Sequence, residues 1–259
     1  MNSSQRQNFI MEYLTQEKAV SVQDLSLQLS ASAATIRRDL DALASSRKLF
    51  RTHGGAVLPT SSSRESLSIP FPVPQSIANL EFKKKIAQEA AKLVSENDTV
   101  FIGCGSTFYV LAHYLKNFSN LKVVTTNLNV AYVLASYAHS VYFIGGELIE
   151  LNGIYYTGGP KIPGELMKIF VNKAFIGVSG IDINAGLTIY DLTQLNLYTA
   201  IHKIAHNVIL VCDKTKFGCQ SAHRLGPIKG YVNTVVTNRE TDSQFIASMK
   251  DMGIQVLTA

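Results

Sequence analysis

Residues 59–74 read Pro-Thr-Ser-Ser-Ser-Arg-Glu-Ser-Leu-Ser-Ile-Pro-Phe-Pro-Val-Pro, with four of the chain's seven prolines and five serines. Proline has no amide donor and pushes the residue before it out of the helical region. So dense a run sustains neither a helix nor a central strand, and it reads as an extended linker. It divides the 259 residues into two folding problems, 1–58 and 77–259, joined by linker residues 59–76. With 46% apolar and 17% charged residues, the chain can bury a core on each side of that break. No apolar run approaches the roughly 20 residues of a membrane span. The first residues carry no apolar signal core, so a cytoplasmic protein without a membrane partner is expected. Three cysteines, odd in number and without Cys-x-x-Cys spacing, read as free thiols. The six histidines do not join them at ligand spacing, so no metal and no cofactor are expected.

In the first segment, Phe9, Ile10, Tyr13 and Leu14 mark an amphipathic helix over about residues 5–16. Ser21 and Asp24 form a cap pair ahead of a second short helix, which buries Val22, Leu25 and Leu29. A three-residue turn, 30–32, leads to a third helix in which Ser32 is the cap and Ile36, Leu40 and Leu43 form the apolar stripe. Thr35, Arg37, Arg38 and Asp41 fall off that stripe. By itself this is either a surface helix with solvated arginines or a helix that reads DNA. Its neighbours decide. Two short helices, a tight turn and an Arg-bearing helix make a helix-turn-helix. The β-prone runs around Gly54-Gly55 then make a hairpin wing, with Arg51 and His53 where a wing meets phosphate. Five of the seven cations of residues 1–58 lie between Arg37 and Arg51, against two acids. The positive charge is therefore local, as a reading head requires.

These residues resemble a known family. Val20-Ser21-Val22 with Leu25 and Leu29, then Thr35-Ile36-Arg37-Arg38-Asp39-Leu40 with Leu43, then Arg51-Thr52-His53-Gly54-Gly55-Ala56, are similar to the winged helix of DeoR-type bacterial transcriptional regulators. Arg47 stands where the family usually has Gly at the end of the recognition helix, and Ala31 and Ala33 replace a more usual Val and Glu. The resemblance implies a double-stranded DNA operator as partner, with Ser32 and Thr35 positioning the helix. Arg37 and Arg38 would contact bases and phosphates, and Arg51 and His53 would contact the backbone.

From residue 80 onward, helices alternate with short apolar strands. Helices are expected over 80–95, after Thr107, near 130–137, over 194–205 and near 243–252. Strands are expected at 99–102, 121–125, 141–144, 173–178, 208–211, 232–236 and 255–257. The alternation implies an α/β, Rossmann-like, largely parallel sheet covered on both faces, beside the α+β winged helix-turn-helix. Ligands of such sheets bind beyond the carboxyl ends of the strands. Gly103-Cys104-Gly105-Ser106-Thr107 lies there, and its amides and hydroxyls suit a small molecule's phosphate, with a tight structural turn as the alternative. It is neither a Walker A loop nor a dinucleotide fingerprint. Thr126 and Asn127 offer groups to a polyol, and Gly145-Gly146 allow close backbone approach. Asp182, Asp191, Asp213 and Lys216 add charge at further loops.

These loops resemble the effector domain of the same regulators, which is similar to sugar-phosphate isomerases of the ribose-5-phosphate isomerase kind. The resemblance implies a repressor controlled by a phosphorylated sugar and working as a homo-oligomer, dimer or tetramer, with paired heads. The chain departs from the pattern in two places. Gly103 stands where the family commonly has the Asp of Asp-x-Gly-Thr-Thr, and Gln194 and Tyr198 stand for a Glu and a Lys. An isomerase must abstract a proton next to a carbonyl, and Gln194 cannot. No catalytic residue is therefore expected. A sugar-phosphate isomerase with an accessory DNA-binding domain is the rival reading.

Overall fold

The computed structural model describes residues 3–17, 19–45, 49–52, 54–57, 74 and 77–259. His53, Arg47 and most of the expected linker lie outside the described residues. The chain divides into two compact units, Met1–Phe71 and Pro72–Ala259.

The first unit runs α1 (Ser3–Glu17), β1 (Ala19–Ser21), α2 (Val22–Gln28), α3 (Ala33–Ser45), β2 (Phe50–Arg51) and β3 (Gly55–Val57). Ile10, Leu14, Leu25, Ile36, Leu40 and Leu49 lead its core. Ser21 and Asp24 cap α2 as expected: the Ser21 hydroxyl accepts from the Asp24 amide at 3.0 Å and donates to its carboxylate at 2.6 Å. The unexpected element is β1. It pairs antiparallel with β3, giving the order β1-β3-β2, and three residues are too few for a period-2 pattern to announce it. The crossing also explains Gly55, where a Cβ would lie 1.8 Å from the Val20 carbonyl oxygen.

The second unit opens with α4 (Leu80–Ala91), β4 (Thr99–Ile102), α5 (Ser106–Tyr114), β5 (Lys122–Thr125), α6 (Leu128–Leu134) and β6 (Ser140–Phe143). Next come β7 (Glu147–Leu151), β8 (Ile154–Gly158), α7 (Ile162–Leu166), β9 (Val171–Ile176), β10 (Gly180–Asp182) and β11 (Gly186–Ile189). The chain ends with α8 (Leu192–Ile204), β12 (Ala205–Val211), β13 (His223–Gly226), β14 (Thr234–Thr237), α9 (Ser243–Asp251) and β15 (Gln255–Thr258). Seven strands form one sheet in the order β15-β14-β12-β9-β4-β5-β6, and every pair in it is parallel.

Alternate residues of the central strands feed two cores. Val100 and Ile102 join one with Phe175, while Phe101 joins the other with Ala174 and Ile176. Period-2 pleating sends those sets to opposite faces, which are therefore both covered. From β4 the chain runs to one edge through β5 and β6, then returns to β4's other side as β9. The order reverses between β4 and β9, and that gap is where such sheets bind ligands.

Several elements of the second unit were not foreseen, α7 and the two described next among them. The β7–β8 hairpin turns on Asn152-Gly153, both at positive φ (+53° and +76°), with Leu151 opposite Ile154. An Asn-Gly pair between alternating runs is the strongest short hairpin signal. The small sheet β10-β11-β13 adds to the local β10–β11 hairpin a strand, β13, from a distant stretch, which no local pattern shows.

Candidate functional site

In the first unit, Ser32 and Thr35 build the start of α3: the Thr35 amide donates to the Ser32 hydroxyl at 3.2 Å, and the two hydroxyls lie 2.9 Å apart. Arg37 and Arg38 are exposed and have no hydrogen-bond or ion-pair partner among the described residues. Asp39, between Arg38 and Leu40, points inward. Its carboxylate accepts from Arg6 Nε at 2.7 Å, Ser3 Oγ at 2.7 Å and Gln7 Nε2 at 3.3 Å. Burial pushes this carboxyl up, but those hydrogen bonds outweigh it and hold it below the usual range. One helix thus shows two cations to solvent and anchors itself to α1 through the acid between them and Leu40. Arg51 is partly engaged: it donates to Asp41 at 2.9 Å and to the Gly55 carbonyl at 3.0 Å, bracing the wing against α3.

In the second unit, a cavity of about 480 Å³ lies at the β4 end of the switch point. Cys104, Gly105 and Ser106 form one side, Lys83 another, and Asn152, Tyr156 and Gln194 close it. Gly105 caps α5 with no side-chain hydrogen bond, so first-turn amides of that helix remain available to an anion. Lys83 was not anticipated. It lies in Lys83-Lys84-Lys85, a run that looks like a solvated face. Yet Lys83, Ile86, Ala87 and Ala90 recur at i, i+3, i+4 and i+7, so this lysine alone of the three sits on the buried stripe, 8% exposed. A lysine there must be paired or put to use. Its Nζ donates to the Ala78 carbonyl at 2.5 Å and lies 3.5 Å from Asp213 Oδ2.

The remaining expected residues are placed as follows. Gly103 lies beneath the loop, where a Cβ would come within 2.7 Å of the Tyr198 hydroxyl. Tyr198, 1% exposed, fills this part of the crevice and accepts from the Cys104 amide at 3.4 Å. Burial pushes the Cys104 thiol up to about 12, and Cys104 packs against Thr126 Oγ1 at 3.2 Å. Thr107 is half-buried and does not line the cavity. Thr126 and Asn127 are wholly buried. Asn127 caps α6 by accepting from the Asn129 and Val130 amides, so these groups serve the fold. Gly145 has open space around it, whereas a Cβ on Gly146 would meet the Gly158 carbonyl at 2.3 Å. The close approach at Gly146 is thus to the protein's own hairpin.

Asp182 accepts from the Asn184 and Ala185 amides and closes the β10–β11 turn, which lowers its pKa. Asp191 caps α8 and accepts from the Tyr156 hydroxyl at 2.6 Å. Burial raises it, and the bonds from Tyr156 and Thr193 outweigh that. It faces a neighbouring cavity of about 490 Å³ that shares Leu151 and Tyr156 with the first. Asp213 is buried, which raises its pKa. Thr215's hydrogen bonds, Lys83 and Lys216 outweigh burial and keep it ionised. Lys216 is half-buried near Asp213 and does not line the cavity. Among the described residues no helix is long and apolar enough to cross a membrane.

Residues 6–62 match the model of a DeoR-like helix-turn-helix domain, and residues 78–239 match that of a DeoR C-terminal sensor domain. The glycerol-3-phosphate regulon repressor of Escherichia coli is 34% identical over 262 aligned residues, covering 99% of each chain. The HTH-type transcriptional regulator GolR of Listeria innocua is 29% identical, covering 98% of each. The lactose phosphotransferase system repressor of Lactococcus lactis is 33% identical, covering 84% of each. A ribose 5-phosphate isomerase from Methanocaldococcus jannaschii aligns at TM-score 0.38 and 17% identity, covering 54% of this chain and 55% of that one, too slight a likeness to carry an argument.

Proposed function

The chain belongs to the DeoR family of helix-turn-helix transcriptional regulators, and we propose that it is a repressor of a carbohydrate-utilisation operon, controlled by a phosphorylated sugar or polyol. DNA reading is assigned to residues 1–58, and effector binding and oligomerisation to 77–259. Arg37 and Arg38 touch the operator, with Ser32 and Thr35 setting the start of their helix and Arg51 and His53 on the backbone. A single head reads few bases, so a dimer or tetramer in the cytoplasm presents paired heads.

The observation that carries the effector reading is the charge of the 480 Å³ cavity. Among the described residues that line it only Lys83 is charged, and the uncapped start of α5 lies beside it. A partly apolar pocket that offers an ammonium and amide donors fits a phosphate ester with a short hydroxylated body. Its relatives include a glycerol-3-phosphate regulon repressor and a lactose phosphotransferase system repressor, which supports that class. Turnover is disfavoured. Aldose–ketose isomerisation needs a base near neutral pH. The lining holds no carboxylate, the Cys104 thiol stands at about 12, and burial with Asp191 beside it raises the Tyr156 hydroxyl.

Calorimetry over phosphorylated and free forms of the same sugars tests the reading, together with operator binding by gel shift. Phosphate esters should bind and weaken the operator complex. Equal binding of free and phosphorylated forms, or robust isomerase turnover, would refute it.

A further inference from the structure

One wall of the 480 Å³ cavity is made by the residues through which the chain enters α4. Ile77 and Ala78 line it, directly before the helix. Three features describe that entry. Asn79 precedes α4 at φ +57° and ψ +36°, a left-handed conformation that Asn tolerates without preferring it, and its side chain gives the helix no cap. Lys83 Nζ reaches back to the Ala78 carbonyl at 2.5 Å. At the hairpin tip, Gly153 lies against Pro74, where a Cβ would stand 3.1 Å from the Pro74 Cα. The entry is thus tied to Lys83 and packed against the hairpin that carries Asn152 and Tyr156 into the same cavity.

We infer that Lys83 is a positioning residue that reports occupancy: a bound phosphate draws its ammonium off the Ala78 carbonyl and so releases the 77–79 turn leading back to the DNA-reading unit. This rests on the reading of the cavity as a phosphate-ester site. An ammonium has three donors, so the bond to Ala78 is lost only if the phosphate draws the ammonium out of that carbonyl's reach. Among the described residues its one hydrogen bond goes to a neutral carbonyl, while the Asp213 oxygen at 3.5 Å acts through its charge rather than as a short hydrogen bond. Both bonds use the same charged donor, but an ionised acceptor adds a charge–charge attraction that a neutral carbonyl lacks. A phosphate dianion therefore outcompetes the Ala78 carbonyl, whereas an uncharged sugar does not. The released turn holds a left-handed Asn without a side-chain cap, and keeps the packing of Pro74 on Gly153 and the bond from the Lys83 amide to the Asn79 carbonyl at 3.0 Å. Linkage then requires that the operator and the phosphate ester weaken each other's binding by the same factor.

A nitroxide on Asn79→Cys tests this in the full chain with Cys219→Ser. Asn79 is exposed, and the remaining cysteines, Cys104 and Cys212, are buried. The probes are inorganic phosphate and glycerol 3-phosphate, with binding followed by calorimetry and label mobility by electron paramagnetic resonance. Binding should mobilise the label. Lys83→Met should weaken ester binding roughly tenfold to hundredfold and leave the label mobile without ligand. Phosphate binding with an unchanged label refutes the release while sparing the site. Failure of both probes to bind the unsubstituted chain refutes the site, and the inference with it. Ester binding by Lys83→Met at full strength removes Lys83 from the mechanism. If Lys83→Met does not fold, the label response with intact Lys83 still decides whether the turn is released.

Discussion

Asp39→Ala is the substitution whose effect the structure specifies most fully. The carboxylate is 4% exposed and receives two 2.7 Å hydrogen bonds, one from an Arg6 guanidinium itself only 16% exposed. A hydrogen bond to a charged group is worth about 1.5–3 kcal/mol net, and removing one partner leaves the other's desolvation uncompensated. The third bond, at 3.3 Å, adds little. The expected loss is about 3 kcal/mol, against a total of roughly 3–9 kcal/mol for a unit of this size. Amide hydrogen exchange along α3 in the full chain reads this unit by itself. Protection there should fall roughly a hundredfold, and a fall of less than about threefold refutes the reasoning. An Arg6→Ala, Asp39→Ala cycle should return a coupling of about 1–2 kcal/mol. Because the folded pKa of Asp39 is lowered, its stabilisation is full above the unfolded value and is lost as pH falls below about 4. Asp39→Ala should therefore flatten the acid side of the stability profile.

Other substitutions separate the remaining claims. Gly55→Ala should cost at least about 2 kcal/mol in thermal unfolding, since its Cβ would lie 1.8 Å from the Val20 oxygen. Gly54→Ala, with nothing within 4 Å, should be near neutral, and equal costs would show that the β1–β3 crossing is not the reason. Arg37→Ala and Arg38→Ala should each weaken the operator complex, and a phosphate-contacting arginine should also lower the salt slope by about one. Unchanged affinity in both would remove α3 from the interface. With a thiol reagent at pH 8, Cys219 alone should react quickly. Cys104 and Cys212, buried with raised pKa values, should wait for denaturant. Gln194→Glu places a carboxylate in a cavity whose lining charge is Lys83, and should weaken phosphate-ester binding about tenfold in calorimetry.

What was legible in the sequence was whatever short-range patterning controls. The Ile36, Leu40, Leu43 stripe, the Ser21–Asp24 cap and the alternation of apolar strands with helices are all local. They specify the winged helix-turn-helix and the parallel sheet without help from distant residues. Of the loop 103–107, Cys104, Gly105 and Ser106 line the cavity, whereas Gly103 and Thr107 do not. Lys83 could have been read from its place on the apolar stripe of α4, but the two neighbouring lysines masked it.

The rest is decided by elements that meet only in the fold. Thr126 and Asn127 look like ligand groups until the hairpin and the Cys104 loop close over them and take up their hydrogen bonds. Gly146 and Gly55 look like loop flexibility until another strand's carbonyl is found where a Cβ would stand. Asp213 becomes the counter-charge of a lysine 130 positions earlier. Sequence by itself determined the elements and their class, because periodicity and capping act within a few residues. Tertiary structure alone decided which polar groups are used up in the fold and which face a cavity, because burial and pairing depend on residues the chain brings together from far apart.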